Sequence, residues 1–136
     1  MSGYLAAAKR GDWETAFGCF AEDIVMHVPG SSVLSGDRHG RDAAIDYIET
    51  VRAHFRHGKI ELELIDMLSS DERVVLLVRE RFHGQGTSVE IRRANVYRVK
   101  GDKIVEISIF EADQHAVDAL VAEIAERGER GAELRR

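Results

Sequence analysis

His27 is the one titratable side chain in the apolar run from Ile24 to Val28, and an ordinary pKa of about 6.5 suits it to general acid–base work. Alternation works against that role, because a strand that turns Val28 inward turns His27 outward, to a structural or interface place. Asp113 stands just before a helical pattern, where a carboxylate is a preferred N-cap, so capping competes with any proton chemistry. Arg93 shares an alternating run with Asn95 and Tyr97. There it would bind an anionic carboxylate, oppose Glu106 or lie solvated at a rim, since an uncompensated buried guanidinium is very costly. Arg79, Glu80 and Arg81 alternate on one strand, and the neighbouring Gly84-Gln85-Gly86 turn leaves open which of them faces inward. His54 and His57 have no evident third ligand, so no metal site is expected. Ser108 has no His–Asp partnership, which leaves nucleophilic catalysis without support.

The element that must position most of these groups runs from Arg93 to Phe110, two alternating segments joined by Gly101-Asp102, a strong hairpin signal. With those two residues as the turn, Lys100 faces Lys103, Val99 faces Ile104, Tyr97 faces Glu106, Asn95 faces Ser108 and Arg93 faces Phe110. One face then carries Arg93, Asn95, Tyr97, Glu106, Ser108 and Phe110. The other carries Ala94, Val96, Val105, Ile107 and Ile109, an aliphatic surface that something should cover.

Before this hairpin, Tyr4, Leu5 and Ala8 mark a short helix stopped by Gly11, and Asp12 caps a second with Trp13, Ala16, Phe17 and Phe20. Ile24 to Val28 reads as a strand ended by Pro29-Gly30, and Ser31 to Gly40 as a loop. Ala44, Ile48, Val51 and Phe55 recur at helical spacing from Arg41 until Gly58. Strands follow over Ile60 to Leu68, Val74 to His83, Ser88 to Val99 and Lys103 to Phe110, an antiparallel meander. A helix with Ala116, Val117, Leu120, Val121 and Ile124 then precedes a charged tail. This order predicts a single α+β domain over residues 1–127, with residues 128–136 as a frayed tail.

Composition excludes some partners. A net charge of −5 without a basic arm argues against nucleic acid, and no apolar stretch approaches the roughly 20 residues of a membrane span. A lone Cys19 and an N-terminus without a signal-peptide pattern predict a cytoplasmic protein.

The segments Tyr4 to Asp12, Phe20-Ala21-Glu22-Asp23, Pro29-Gly30, Ser35-Gly36, Gly40 to Ile45 and Gly101 to Val105 resemble the nuclear transport factor 2-like superfamily. Within it, the similarity points to the SnoaL-like polyketide cyclase and ketosteroid isomerase-related group. The resemblance implies a cone-shaped fold, a curved, mainly antiparallel sheet wrapped around the long helix, with an apolar cavity between them. It also implies a homodimer through the outer sheet face, Ala94, Val96, Val105, Ile107 and Ile109. By comparison with ketosteroid isomerases, Tyr4 and Asn95 match the two donors that polarise a carbonyl oxygen, while Val28 replaces the proton-transferring Asp before Pro29. By comparison with the cyclases, Asp113 falls near the position of an acidic catalytic residue.

The expected activity is therefore isomerisation, cyclisation or dehydration of a hydrophobic, carbonyl-containing metabolite without a cofactor, with Tyr4 and Asn95 polarising the oxygen and Asp113 or His27 carrying the proton. Trp13, Phe17, Val28, Tyr47, Val51, Phe55 and Phe110 would line the pocket, with Arg93, Tyr97, Glu106 and Ser108 on its sheet wall. The alternative is a non-catalytic small-molecule-binding domain on the same scaffold, for which Val28 is the best argument.

Overall fold

The computed structural model describes residues 2–54, 59–84 and 87–123. Phe55, His57, Gly58 and the tail over 128–136 lie outside the described residues. Helices α1 (Ser2–Lys9) and α2 (Trp13–Gly18) open the chain. Gly11 joins them at φ 76°, a left-handed conformation that favours glycine. Asp12 caps α2, accepting from the Thr15 amide at 3.3 Å and the Thr15 hydroxyl at 2.7 Å.

After α2 come β1 (Phe20–Val28), β2 (Gly36–His39) and the amphipathic helix α3 (Arg41–His54). The remainder is β3 (Lys59–Ser69), β4 (Arg73–Gly84), β5 (Thr87–Lys100) and β6 (Lys103–Glu111), then a helical stretch over 114–123. No helix among the described residues is long and apolar enough to cross a membrane.

The strands form one curved sheet in the order β2-β1-β6-β5-β4-β3. β3 to β6 make the expected antiparallel meander, whereas β1 lies parallel to β6. β2 falls in the segment read as a loop. It pairs antiparallel with β1 at the sheet edge, Val25 opposite His39 and Val28 opposite Gly36. Its sequence, Gly-Asp-Arg-His, has no apolar alternation to announce a strand, which is usual for a short charged edge.

The core lies on the inner sheet face beneath α1, α2 and α3. Phe20 and Ile24 of β1, Leu76 and Val78 of β4, Tyr97 of β5, and Ile104 and Ile107 of β6 pack against Tyr4, Ala7, Ala16 and Ala44. Phe20, Ile24 and Ile104 are fully buried, and each such side chain contributes roughly 1.5–3 kcal/mol.

The register of the β5–β6 hairpin corrects the sequence expectation. Lys100 faces Lys103 and Val99 faces Ile104 as expected, but the ladder then shifts between Arg98 and Val99, so Arg98 faces Glu106, with Val105 as the extra residue. Beyond the bulge, Tyr97 faces Ile107, Val96 faces Ser108, Asn95 faces Ile109, Ala94 faces Phe110 and Arg93 faces Glu111. Because side chains alternate with a period of two, this one-residue shift exchanges the faces of β6. Ile107 and Ile109 turn inward, so they do not belong to an outer surface facing a second copy. Glu106, Ser108 and Phe110 turn outward, beside Arg98, Val96 and Ala94, and leave the expected pocket wall.

Candidate functional site

A cavity of about 180 Å3 lies between the inner face of the sheet, α3, the loop after β1 and the helical stretch 114–123. Val28, Pro29 and Leu34 line one side, Tyr47 and Val51 of α3 another, Phe82, Ile91 and Ile109 the sheet side, and Val117, Leu120 and Val121 the helical side. Local contacts seat that helical stretch over the loop. Ser31 donates to Asp118 from its amide and its hydroxyl, both at 3.2 Å, and Gln114 donates to the Pro29 carbonyl at 3.4 Å. Gly30, at φ 98°, allows the approach, since a side-chain carbon there would collide with Gln114 and Asp118.

Three ionisable groups converge at the sheet wall of this apolar space. β4 turns Glu80 inward and Arg79 and Arg81 outward, which settles the alternation that the sequence left open. Arg93 reaches Glu80 at 3.4 Å and Glu111 at 2.9 Å, and the three side chains are only 16%, 17% and 3% exposed respectively. Arg93 Nε and Glu111 Oε1 meet off the line of an aligned hydrogen bond, and among the described residues Glu111 Oε2 is buried without a donor.

Burial pushes the Glu111 carboxyl above its ordinary range, and Arg93 only partly opposes the shift. For Arg93, burial disfavours the charge, but the two carboxylates outweigh it and raise its pKa. Tyr47, which lies close enough to feel Arg93 and Glu111, has its hydroxyl pKa raised chiefly by burial. The cavity therefore combines a carboxyl of raised proton affinity, a half-buried phenol and a guanidinium that holds the carboxyl in place.

The expected catalytic residues take other positions. Tyr4 is buried deeper in the core, its ring centroid 5.6 Å from that of Tyr97 and 5.7 Å from that of Phe20. Burial pushes its pKa up to about 12. Burial likewise pushes the Tyr97 hydroxyl pKa well up beside Tyr4, and among the described residues Asn95 Oδ1 is buried without a donor. These side chains lie on the same inner face as Arg93, but Tyr4, Tyr97 and Asn95 are not among the residues that line the cavity. Trp13 and Phe17 stack on each other at 5.7 Å and pack against the core rather than the cavity.

Asp113 is exposed and caps the helical stretch, accepting from the Ala116 amide at 3.0 Å. His27 faces outward, its ring nitrogens each 2.8 Å from Asp37 and Glu106. Those partners raise its pKa, Glu106 foremost, and His27 in turn lowers that of Glu106. Glu106 also meets Arg98 at 3.3 Å on the outer face. Of the residues expected around the pocket, Val28, Tyr47, Val51 and Arg93 line the cavity, while Ser108 and Phe110 border a shallower outer groove with His27. Among the described residues, no three His, Cys, Asp or Glu side chains are grouped to hold a metal ion.

Glu80 and Glu111 were absent from the sequence-based site. The signal for them was Arg93 itself, because an inward guanidinium requires carboxylate partners, and the outward swing of Glu106 leaves Glu80 and Glu111 to supply them.

Residues 1–107 match the profile of the SnoaL-like domain. An uncharacterised protein of Mycobacterium tuberculosis is 32% identical over 119 residues, covering 87% of this chain and 90% of that protein. Bal32a, from a soil-derived mobile gene cassette, superposes with a TM-score of 0.78 at 26% identity over 88% of this chain and 91% of its own. An NTF2-like protein of unknown function from Burkholderia pseudomallei superposes with a TM-score of 0.73 at 23% identity, over 88% and 92% of the two chains. With this NTF2-like fold and a SnoaL-like profile matched over residues 1–107, the chain belongs to the SnoaL-like domain family.

Proposed function

We propose that this SnoaL-like domain is an enzyme that moves a proton on an apolar, carbonyl-bearing small molecule, with Glu111 as acid and base and the Tyr47 hydroxyl as donor to the carbonyl oxygen. One observation carries the proposal: the Glu111 carboxyl, 3% exposed, borders an apolar cavity and has its proton affinity raised by burial. A carboxylate in that state is a stronger base than one in water, and its acid form is populated closer to neutrality, which suits it to take a proton from carbon and return it elsewhere. Arg93 is a positioning residue that fixes the carboxyl and keeps it from being wholly uncompensated. Isomerisation, cyclisation and dehydration all share this proton transfer. Compared with the sequence expectation, the chemistry moves from Asp113 and His27 to Glu111, and the carbonyl donor from Tyr4 and Asn95 to Tyr47.

Val28 favours a second reading, a binding domain without turnover, because this apolar side chain lines the cavity where the related isomerases carry their base. The two readings separate in heavy water. An enzyme should exchange the α-protons of enolisable apolar ketones for deuterium, observed by NMR, whereas ligands that bind without any exchange across an enone and polyketide panel would support the binding domain.

A further inference from the structure

We infer that the ligand of this cavity is an uncharged, apolar molecule carrying a hydroxyl group, and that carboxylates are turned away. The inference deepens the proton-transfer proposal and rests on it for the location of the site. Its first support is charge. Arg93 is the cation at the polar wall, and it already faces two carboxyl groups at 3.4 and 2.9 Å. Among the described residues that line the cavity, no positive charge is left over for a ligand anion, and a third carboxylate would be buried beside two others.

Its second support is the unmet acceptor. Among the described residues, Glu111 Oε2 is buried with no donor, on a side chain that borders the cavity. A buried acceptor without a partner is unfavourable, and a ligand O–H placed there removes the cost. Beside the carboxylate form, a carbonyl or ether oxygen, which only accepts, would leave it in place. The surrounding Val28, Ile109, Val117 and Leu120 supply apolar contact, and the neutral donors that share the lining, Ser32, Tyr47 and Gln114, make no hydrogen bond to Glu111 Oε2.

The test uses matched bicyclic probes at pH 7: 2-naphthol, naphthalene, 2-naphthoate and 2-naphthylmethylamine, with affinities measured by calorimetry on the full chain. The inference predicts that 2-naphthol binds about tenfold more tightly than naphthalene, with 2-naphthoate weakest. In Glu111→Met, the preference for 2-naphthol over naphthalene should disappear. Should that variant fail to fold, Glu111→Gln replaces it and should at least halve the ratio. Binding of 2-naphthoate as tight as that of 2-naphthol would overturn the inference, as would tighter binding of the amine or binding by none of the four. Its failure is distinct from that of the proposed activity. Hydroxyl preference without proton exchange contradicts the enzyme alone, and proton exchange without hydroxyl preference contradicts this inference alone.

Discussion

Arg93 and Glu111 stand directly opposite each other on β5 and β6, Nε 2.9 Å from Oε1, because the bulge at Val105 advances β6 by one residue. Without the extra residue's offset, Phe110 would face Arg93 and the guanidinium would lack its most buried partner. A single irregularity thus determines which carboxyl enters the cavity and which, Glu106, goes to the outer face.

The register can be tested by cross-linking. Val96 and Ser108 are opposed on the outer face, where Cα atoms about 4.5–5.5 Å apart permit a disulfide. On a Cys19→Ser background, Val96→Cys with Ser108→Cys should oxidise to a cross-linked monomer, detected by mass spectrometry. Cross-linking instead of Asn95→Cys with Ser108→Cys would restore the unbulged hairpin and remove Glu111 from the cavity.

Arg93→Met should be strongly destabilising. It leaves Glu80 and Glu111 facing each other in a largely dry space, and breaking a buried charge set by removing one partner costs about 3–5 kcal/mol. Urea unfolding should show that loss, and adding Glu80→Gln and Glu111→Gln should recover most of it. An unchanged midpoint in the single variant would mean that the three groups are solvated rather than coupled.

His27 predicts a pH window. Glu106 and Asp37 raise its pKa above 6.5, so its contribution to stability is complete below that value and is lost as pH rises through the folded pKa. His27 holds the Glu106 pKa below 4.5, so that contribution is present above 4.5 and is lost as pH falls through the folded value. The stability difference between wild type and His27→Gln should therefore peak between these limits. It should be small, since the ring is 38% exposed and solvent screens it. A difference that grows steadily toward alkaline pH would contradict this account.

Most of the fold was legible because its signals are local. Gly11 and Asp12 mark the end of one helix and the start of the next, the Ala44 to Val51 spacing marks α3, and Gly101-Asp102 marks the hairpin. The site was less legible because it depends on phase. Val105, Ile107 and Ile109 read as one continuous aliphatic face, and only the burial of both Ile104 and Ile107, three apart, reveals that the alternation breaks between them. The inward side of Val28 and the outward side of His27 followed from alternation alone, as did the cap at Asp113 from its place before a helical run. What the sequence did not reveal was Glu80 and Glu111, since each acquires its meaning from a partner on another strand.

The most direct test of the central claim is the rate of α-proton exchange into deuterated water for Glu111→Gln beside Asp113→Asn, on the same ketone and with folding verified by circular dichroism. Glu111→Gln should lose about 10^2-fold or more of the rate, the usual contribution of a positioned acid or base, while Asp113→Asn keeps most of its rate and its stability, since the asparagine oxygen still caps the Ala116 amide. Full activity in Glu111→Gln, with the loss falling on Asp113→Asn, would contradict the assignment of the chemistry to the Arg93–Glu111 wall of the cavity.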